Sequence, residues 1–132
     1  NTYEGTLDAF YQISSTGSYL LGGIGCERGD AEDDDDENRQ VRLKLGIALA
    51  LPDDWQMSAM GQYCWQDYDH KDSTFGDMRE DTKWQVSLSV EKKLCYEWLS
   101  LGGDFTYTDN SSTIDFYTYH RSVTTLSLIA RY

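Results

Sequence analysis

The chain has 132 residues, with 23 acidic against 11 basic side chains and a net charge of −12. That balance excludes a nucleic-acid partner, because phosphate recognition needs a basic face, and a single proline with 14% aromatics excludes a disordered chain. No apolar run is long enough for a transmembrane helix, while a mean hydropathy of −0.61 still fits a β-barrel with a polar interior.

Seven strands are expected, and most reveal which residues share a face, because successive side chains of a strand point to opposite sides. In the first, residues 2–13, Tyr3, Leu7, Ala9, Tyr11 and Ile13 oppose Glu4, Thr6, Asp8 and Gln12, with Phe10 misplaced on the polar side. The second, 18–29, is rich in glycine and its phase is ambiguous. The third, 40–51, alternates without a miss: Val41, Leu43, Leu45, Ile47, Leu49 and Leu51 against Arg42, Lys44, Gly46, Ala48 and Ala50. About 9–11 tilted residues suffice to cross hydrocarbon, so this strand is long enough. The fourth covers 55–67. The fifth, 82–93, sets Trp84, Val86, Leu88 and Val90 against Lys83, Gln85, Ser87, Ser89 and Glu91. The sixth, 98–108, sets Leu99, Leu101, Phe105 and Tyr107 against Ser100, Gly102, Asp104, Thr106 and Thr108. The last, 117–132, sets Leu126, Leu128 and Ala130 against Thr125, Ser127 and Arg131, with Ile129 as the exception. No stretch shows a helical period. The expected fold class is all-β: an antiparallel up-and-down meander forming a transmembrane β-barrel or part of one. Residues 1–132 form a single β-barrel domain, either whole or the C-terminal part of a larger barrel.

The connections alternate in kind. Residues 14–17, 52–54 and 94–97 are short; 30–39, 68–81 and 109–116 are long and polar. In a meander, successive connections lie at opposite ends, so the long ones gather at one end, as they do in outer-membrane barrels. Segments 30–39, 67–81 and 109–116 together carry the entire net charge of −12. Within them, Asp33, Asp34, Asp35 and Asp36 are candidate ligands for a surface Ca²⁺ or Mg²⁺, since hard cations take carboxylates. The run lacks the glycine and spacing of a calcium loop, and no other cofactor is expected. His70 reads as a solvated side chain. Aromatics fall in two bands that fit interfacial girdles. Trp55, Tyr96 and Trp98 lie at the short-turn end; Tyr63, Trp65, Trp84, Tyr107, Tyr117 and Tyr119 lie at the long-loop end, and Tyr132 closes the chain. Cys26, Cys64 and Cys95 form no CxxC unit and read as isolated thiols.

The stretch Arg79-Glu80-Asp81-Thr82, the run from Phe105 through Thr106, Tyr107, Thr108, Asp109 and Asn110 to Ser111, the trio Tyr117, Tyr119 and Arg121, and the alternating end at 126–132 resemble the C-terminal barrel region of Gram-negative outer-membrane proteins. β-Barrel porins and the barrels of surface lipoprotein assembly modifiers look similar there, and a last strand ending on an aromatic looks like their assembly signal. The resemblance covers residues 79–132. It implies a bacterial outer-membrane location and outer-membrane lipid as a partner. It implies a diffusion pore, or the barrel part of an exporter, that passes small polar solutes or an exported substrate.

On that reading Glu4, Asp8, Arg42, Lys44, Lys83, Glu91, Asp104, Arg121 and Arg131 occupy the interior. They fill it as ion pairs in a barrel of about eight strands and line a channel in one of about 16. Asp104 and Arg121 are expected to pair across the last long loop. Seven strands is an odd number, whereas single-chain bacterial barrels have even numbers. Further chain segments or subunits are therefore expected to close the wall. Two alternatives stand beside the pore: a small closed barrel with a structural or surface-adhesion role, and a soluble β-barrel binding an apolar ligand. An enzyme is not expected. His120 and Ser122 do share one face, which resembles the lipid-facing pair of lipid A deacylases, with Asp115 as the nearest candidate orienting acid. Any two polar residues at that spacing share a face.

Overall fold

A computed structural model describes residues 2–29, 38–71, 75–94, 96 and 98–131. Asp33, Asp34, Asp35, Asp36, Cys95, Tyr132 and the side chain of His70 lie outside the described residues. Seven strands form one sheet: β1 (Thr2–Gln12), β2 (Tyr19–Gly29), β3 (Asn38–Leu51), β4 (Trp55–Lys71), β5 (Met78–Lys93), β6 (Leu99–Ser112) and β7 (Tyr119–Ala130). Each pairs antiparallel with its sequence neighbours, in the spatial order β1 to β7. The sheet is an open up-and-down meander whose edges, β1 and β7, run in the same direction.

Register follows the hydrophobic phase, because a slip of one residue would turn every side chain to the other face. One row across the sheet joins Leu7, Ile24, Leu43, Tyr63 and Trp84. The next but one, towards the tight turns, joins Tyr11, Leu20, Ile47, Ala59, Leu88 and Phe105. The ambiguous phase of β2 is thereby fixed: Leu20, Gly22 and Ile24 share the apolar face, Gly23 and Gly25 the polar one. Phe10 does stand on the polar face; there it meets the Tyr19 ring, 6.3 Å between centroids, with Leu21 directly opposite.

Two connections expected to be long are about half strand. β4 continues to Lys71, β5 begins at Met78 and β6 runs to Ser112. Acidic, turn-rich composition reads as loop, yet here the backbone pairs. Asp67 opposes Glu80 and Lys71 opposes Met78, with a register irregularity between Asp67 and Lys71. The Thr113 N–H donates to the Glu80 carbonyl at 3.0 Å, and the Thr113 hydroxyl donates to the Met78 carbonyl at 3.0 Å. A 3₁₀ turn, Asp115–Tyr117, then leads into β7, which starts at Tyr119 rather than Tyr117. At the other end the chain reverses tightly. Asp53 and Asp54 sit at φ 59° and 61°, a left-handed region that aspartate tolerates better than most residues.

Burial is inverted relative to a water-soluble sheet. On β3 the apolar Val41, Leu43 and Leu45 are exposed while Gln40, Arg42 and Lys44 between them are half-buried. Across the sheet, Leu7, Leu45, Leu101, Leu126 and Leu128 are all exposed, while Ser100, Thr108, Asn110 and Asp81 are buried. The sheet therefore curves around its polar face and turns its apolar face outward.

Candidate functional site

The outward face is a band of limited height. Its apolar residues start at Val41 on β3, after Arg39, and end at Leu51. On β4 they run from Trp55 to Trp65 and stop before Asp67; on β6 they run from Leu99 to Tyr107 and stop before Asp109. The ten residue steps on β3 and β4, at ~3.3 Å each and tilted by ~45°, give a height of roughly 23 Å. Rings mark its loop-side edge. Tyr63 and Trp65 meet at 4.3 Å between centroids and Trp84 and Tyr107 at 5.1 Å, on neighbouring strands of this face. Trp55 lies at the opposite edge, its ring under the Lys92 ammonium at 4.5 Å, and Tyr96 stacks on Trp98 at 5.7 Å in the turn beside it. Tyr119 is a correction. Its partner is Asn110, in the row of Lys83 and Cys64, so its register is that of the polar face rather than the aromatic band.

Glu4, Asp8, Arg42, Lys44, Lys83, Glu91, Asp104, Arg121 and Arg131 all fall on the polar face, where Arg42, Lys44, Lys83 and Glu91 are half-buried and the other five exposed. Several are drawn together across alternate strands. Asp8, Gly23 and Lys44 form one row over β1, β2 and β3, and Lys44 Nζ reaches Asp8 Oδ1 at 2.7 Å across the glycine. A Cβ on Gly23 would collide with both side chains. Arg42, opposite Gly25, lies 3.5 Å from Glu27 and 3.9 Å from Glu4. At the tight-turn end Arg131 crosses β6 to hold Glu91 through two hydrogen bonds, 2.7 and 3.1 Å, and donates to Ser100 Oγ at 3.2 Å. Ser100, a small residue of β6 that is 1% exposed, lies under that crossing. Between these ion pairs the wall is neutral: Thr108 donates to Gln85 at 3.3 Å, and the Ser87 and Thr106 hydroxyls lie 3.2 Å apart.

Sequence reasoning missed the group at the loop end. Arg79, read as part of an acidic loop, lies on β5 and grips Asp81 with Nε at 3.0 and 3.2 Å from the two carboxylate oxygens. Its guanidinium is sandwiched between the rings of Tyr117, 3.6 Å away, and Tyr68, 4.3 Å away. Burial alone would lower the Arg79 pKa, but the Asp81 carboxylate and the tyrosines more than offset it, so the group is held above its ordinary value. Phe75 and Phe116 pack around Tyr117, and Asn110 fixes the 3₁₀ turn by donating to the Tyr117 carbonyl at 2.9 Å. The signal was present in the i, i+2 spacing of Arg79 and Asp81, which a strand places side by side.

The expected pairing of Asp104 with Arg121 is not met. Arg121 stands opposite Thr108, four residues along β6 from Asp104, so roughly 13 Å of strand separates them and they cannot pair. His120 and Ser122 do share the outward face, but the residue opposite His120 is Asp109, not Asp115, which lies in the 3₁₀ turn. Cys26 is exposed and Cys64 buried, on opposite faces. Among the described residues no three His, Cys, Asp or Glu side chains form a metal-binding group.

A family described as "Protein of unknown function (DUF2860)" matches residues 1–129, and the chain belongs to that family. No curated protein and no solved structure matches it.

Proposed function

We propose that this chain forms a membrane-spanning wall of a β-barrel in the bacterial outer membrane, serving as a diffusion pore or as the barrel part of an exporter. The inverted burial carries the reading. Leu7, Leu45, Leu101, Leu126 and Leu128 stand exposed on one face while Lys44 pairs with Asp8 on the other; a contiguous apolar face of that kind is unfavourable in water, whereas lipid outside and water inside favour it. The height of the apolar band and the rings along its edges support it. Because β1 and β7 run in parallel, antiparallel closure needs at least one further strand between them, from this protein or from another copy. Such a strand would also satisfy edge groups that lipid cannot.

The ion pairs that cross Gly23 and Ser100 favour one second reading, a narrow barrel of about eight strands whose interior is filled and whose role is structural or adhesive. Reconstitution into planar bilayers separates the two. Stepwise conductance is expected for the pore. Protein that inserts but never conducts supports the filled barrel, and protein that is folded and monodisperse without detergent refutes the membrane reading.

A further inference from the structure

The outward face is not smooth. Between β3 and β7 it holds a depression of about 370 Å³. Ala59 and Gly103 form its floor, and Met57, Leu88, Val90 and Phe105 stand around them. The register explains the shape: the two small residues lie on alternate strands within a field of large ones. The depression crosses five strands, so at ~4.8 Å per strand it is roughly 19 Å long. That is a slot for an extended hydrocarbon chain, and its lining offers no side-chain charge on the outward face.

Midway along the slot, on its tight-turn side, the wall does carry charge. The next outward position on β5 after Val90 is Lys92, in the row of Leu51, Trp55 and Leu101. Its ammonium lies over the Trp55 ring and 3.4 Å from the Asp53 carbonyl, at the level of the tight turn. Among the described residues it forms no ion pair, and no other cation faces outward at this end. A lysine whose stem follows an apolar wall and whose head reaches the interface presents its charge where lipid phosphates lie.

We infer that this slot binds one anionic glycerophospholipid, with an acyl chain across Ala59 and Gly103 and the phosphate on Lys92. The inference rests on the membrane-wall reading. Its test is native mass spectrometry of the delipidated protein in detergent, titrated with phosphatidylglycerol or phosphatidylcholine, with insertion into phosphatidylcholine vesicles measured alongside. Wild type is expected to retain one phosphatidylglycerol with about fivefold preference, the worth of one lysine beside an anionic headgroup. Lys92→Gln should retain lipid but lose the preference. Gly103→Leu should fill the slot and retain neither lipid, and Ala59→Leu serves the same purpose if Gly103→Leu does not fold. Equal retention of the two lipids by wild type, or unchanged retention by a folded slot-filling variant, overturns the site. Inserted wild-type protein that retains no lipid refutes the site while leaving the wall intact; protein that does not insert refutes the wall.

Discussion

Leu45 offers the sharpest test of which solvent touches the outward face. It is 73% exposed and lies four residues from Val41 and six from Leu51 along β3. At ~3.3 Å per residue and ~45° of tilt, these steps place it roughly 9 Å and 14 Å from the two rims, within a few ångströms of mid-height. Leu45→Arg in lipid should therefore cost about 2–4 kcal/mol, the range for arginine at the mid-plane, which lowers the folding equilibrium about 30- to 900-fold. Val41→Arg, at the aromatic rim, should cost about 0–1 kcal/mol. On a water-exposed surface both would fall within about 0.5 kcal/mol of wild type. The assay is urea titration of protein folded into phosphatidylcholine vesicles, followed by tryptophan fluorescence. Equal effects of the two arginines would refute the argument, because depth in a bilayer is the one variable that separates them.

The sheltered face makes its own predictions. Gly23→Val should destabilise by about 1–3 kcal/mol through overpacking, because any Cβ there meets Asp8 and Lys44. Gly22→Val, whose Cβ has only an ordinary 3.6 Å contact with Leu45, should cost nothing in the same titration. Arg79→Leu leaves the Asp81 carboxylate, 6% exposed, without its partner. It should cost about 2 kcal/mol, below the range for a fully buried pair because water reaches the guanidinium, and hydrogen exchange at residues 78–81 and 110–113 should accelerate. Arg79→Lys should recover part of this, since lysine keeps the charge but lacks the planar fork. In a Cys95→Ser background, a membrane-permeant maleimide should label Cys26, exposed at the outward rim beside Val41, well before buried Cys64; equal rates would contradict the assigned faces.

What was legible in the sequence followed from period 2. Val41 to Leu51 announced their faces without help, and so did the charged residues that share the polar face, because alternation survives any curvature of the sheet. The strand ends were less legible. Residues 68–71 and 78–81 read as loop because the segment that holds them is polar and acidic, and composition does not show that Arg79 neutralises Asp81 or that two tyrosines flank it. The partner of Asp104 was misjudged for a different reason. Which residues stand opposite one another depends on the length of the turn between strands, and the extra strand residues Asp109–Ser112 moved Arg121 four positions away. The glycines of β2 were ambiguous alone; their meaning is supplied by Asp8 and Lys44, which come from strands on either side.

The distribution of charge carries one further consequence for a pore. Along the sheltered wall, opposite signs meet: Asp8 with Lys44, Glu4 and Glu27 with Arg42, Glu91 with Arg131, Asp81 with Arg79. Lys83 and Arg121 remain against Asp104. Such a wall generates little net field, so it cannot strongly sort ions by sign. The excess acid belongs to the loop end, where Asp67, Glu80 and Asp109 continue the strands beyond the apolar band. A field from a mouth acts over the screening length, about 10 Å at 0.1 M salt and about 3 Å at 1 M. Preference for cations should therefore appear in reversal potentials at 0.1 M salt and nearly vanish at 1 M. A preference that persists at 1 M would place the selecting charges inside the wall, within a few ångströms of the passing ion, and would contradict the pairing seen there.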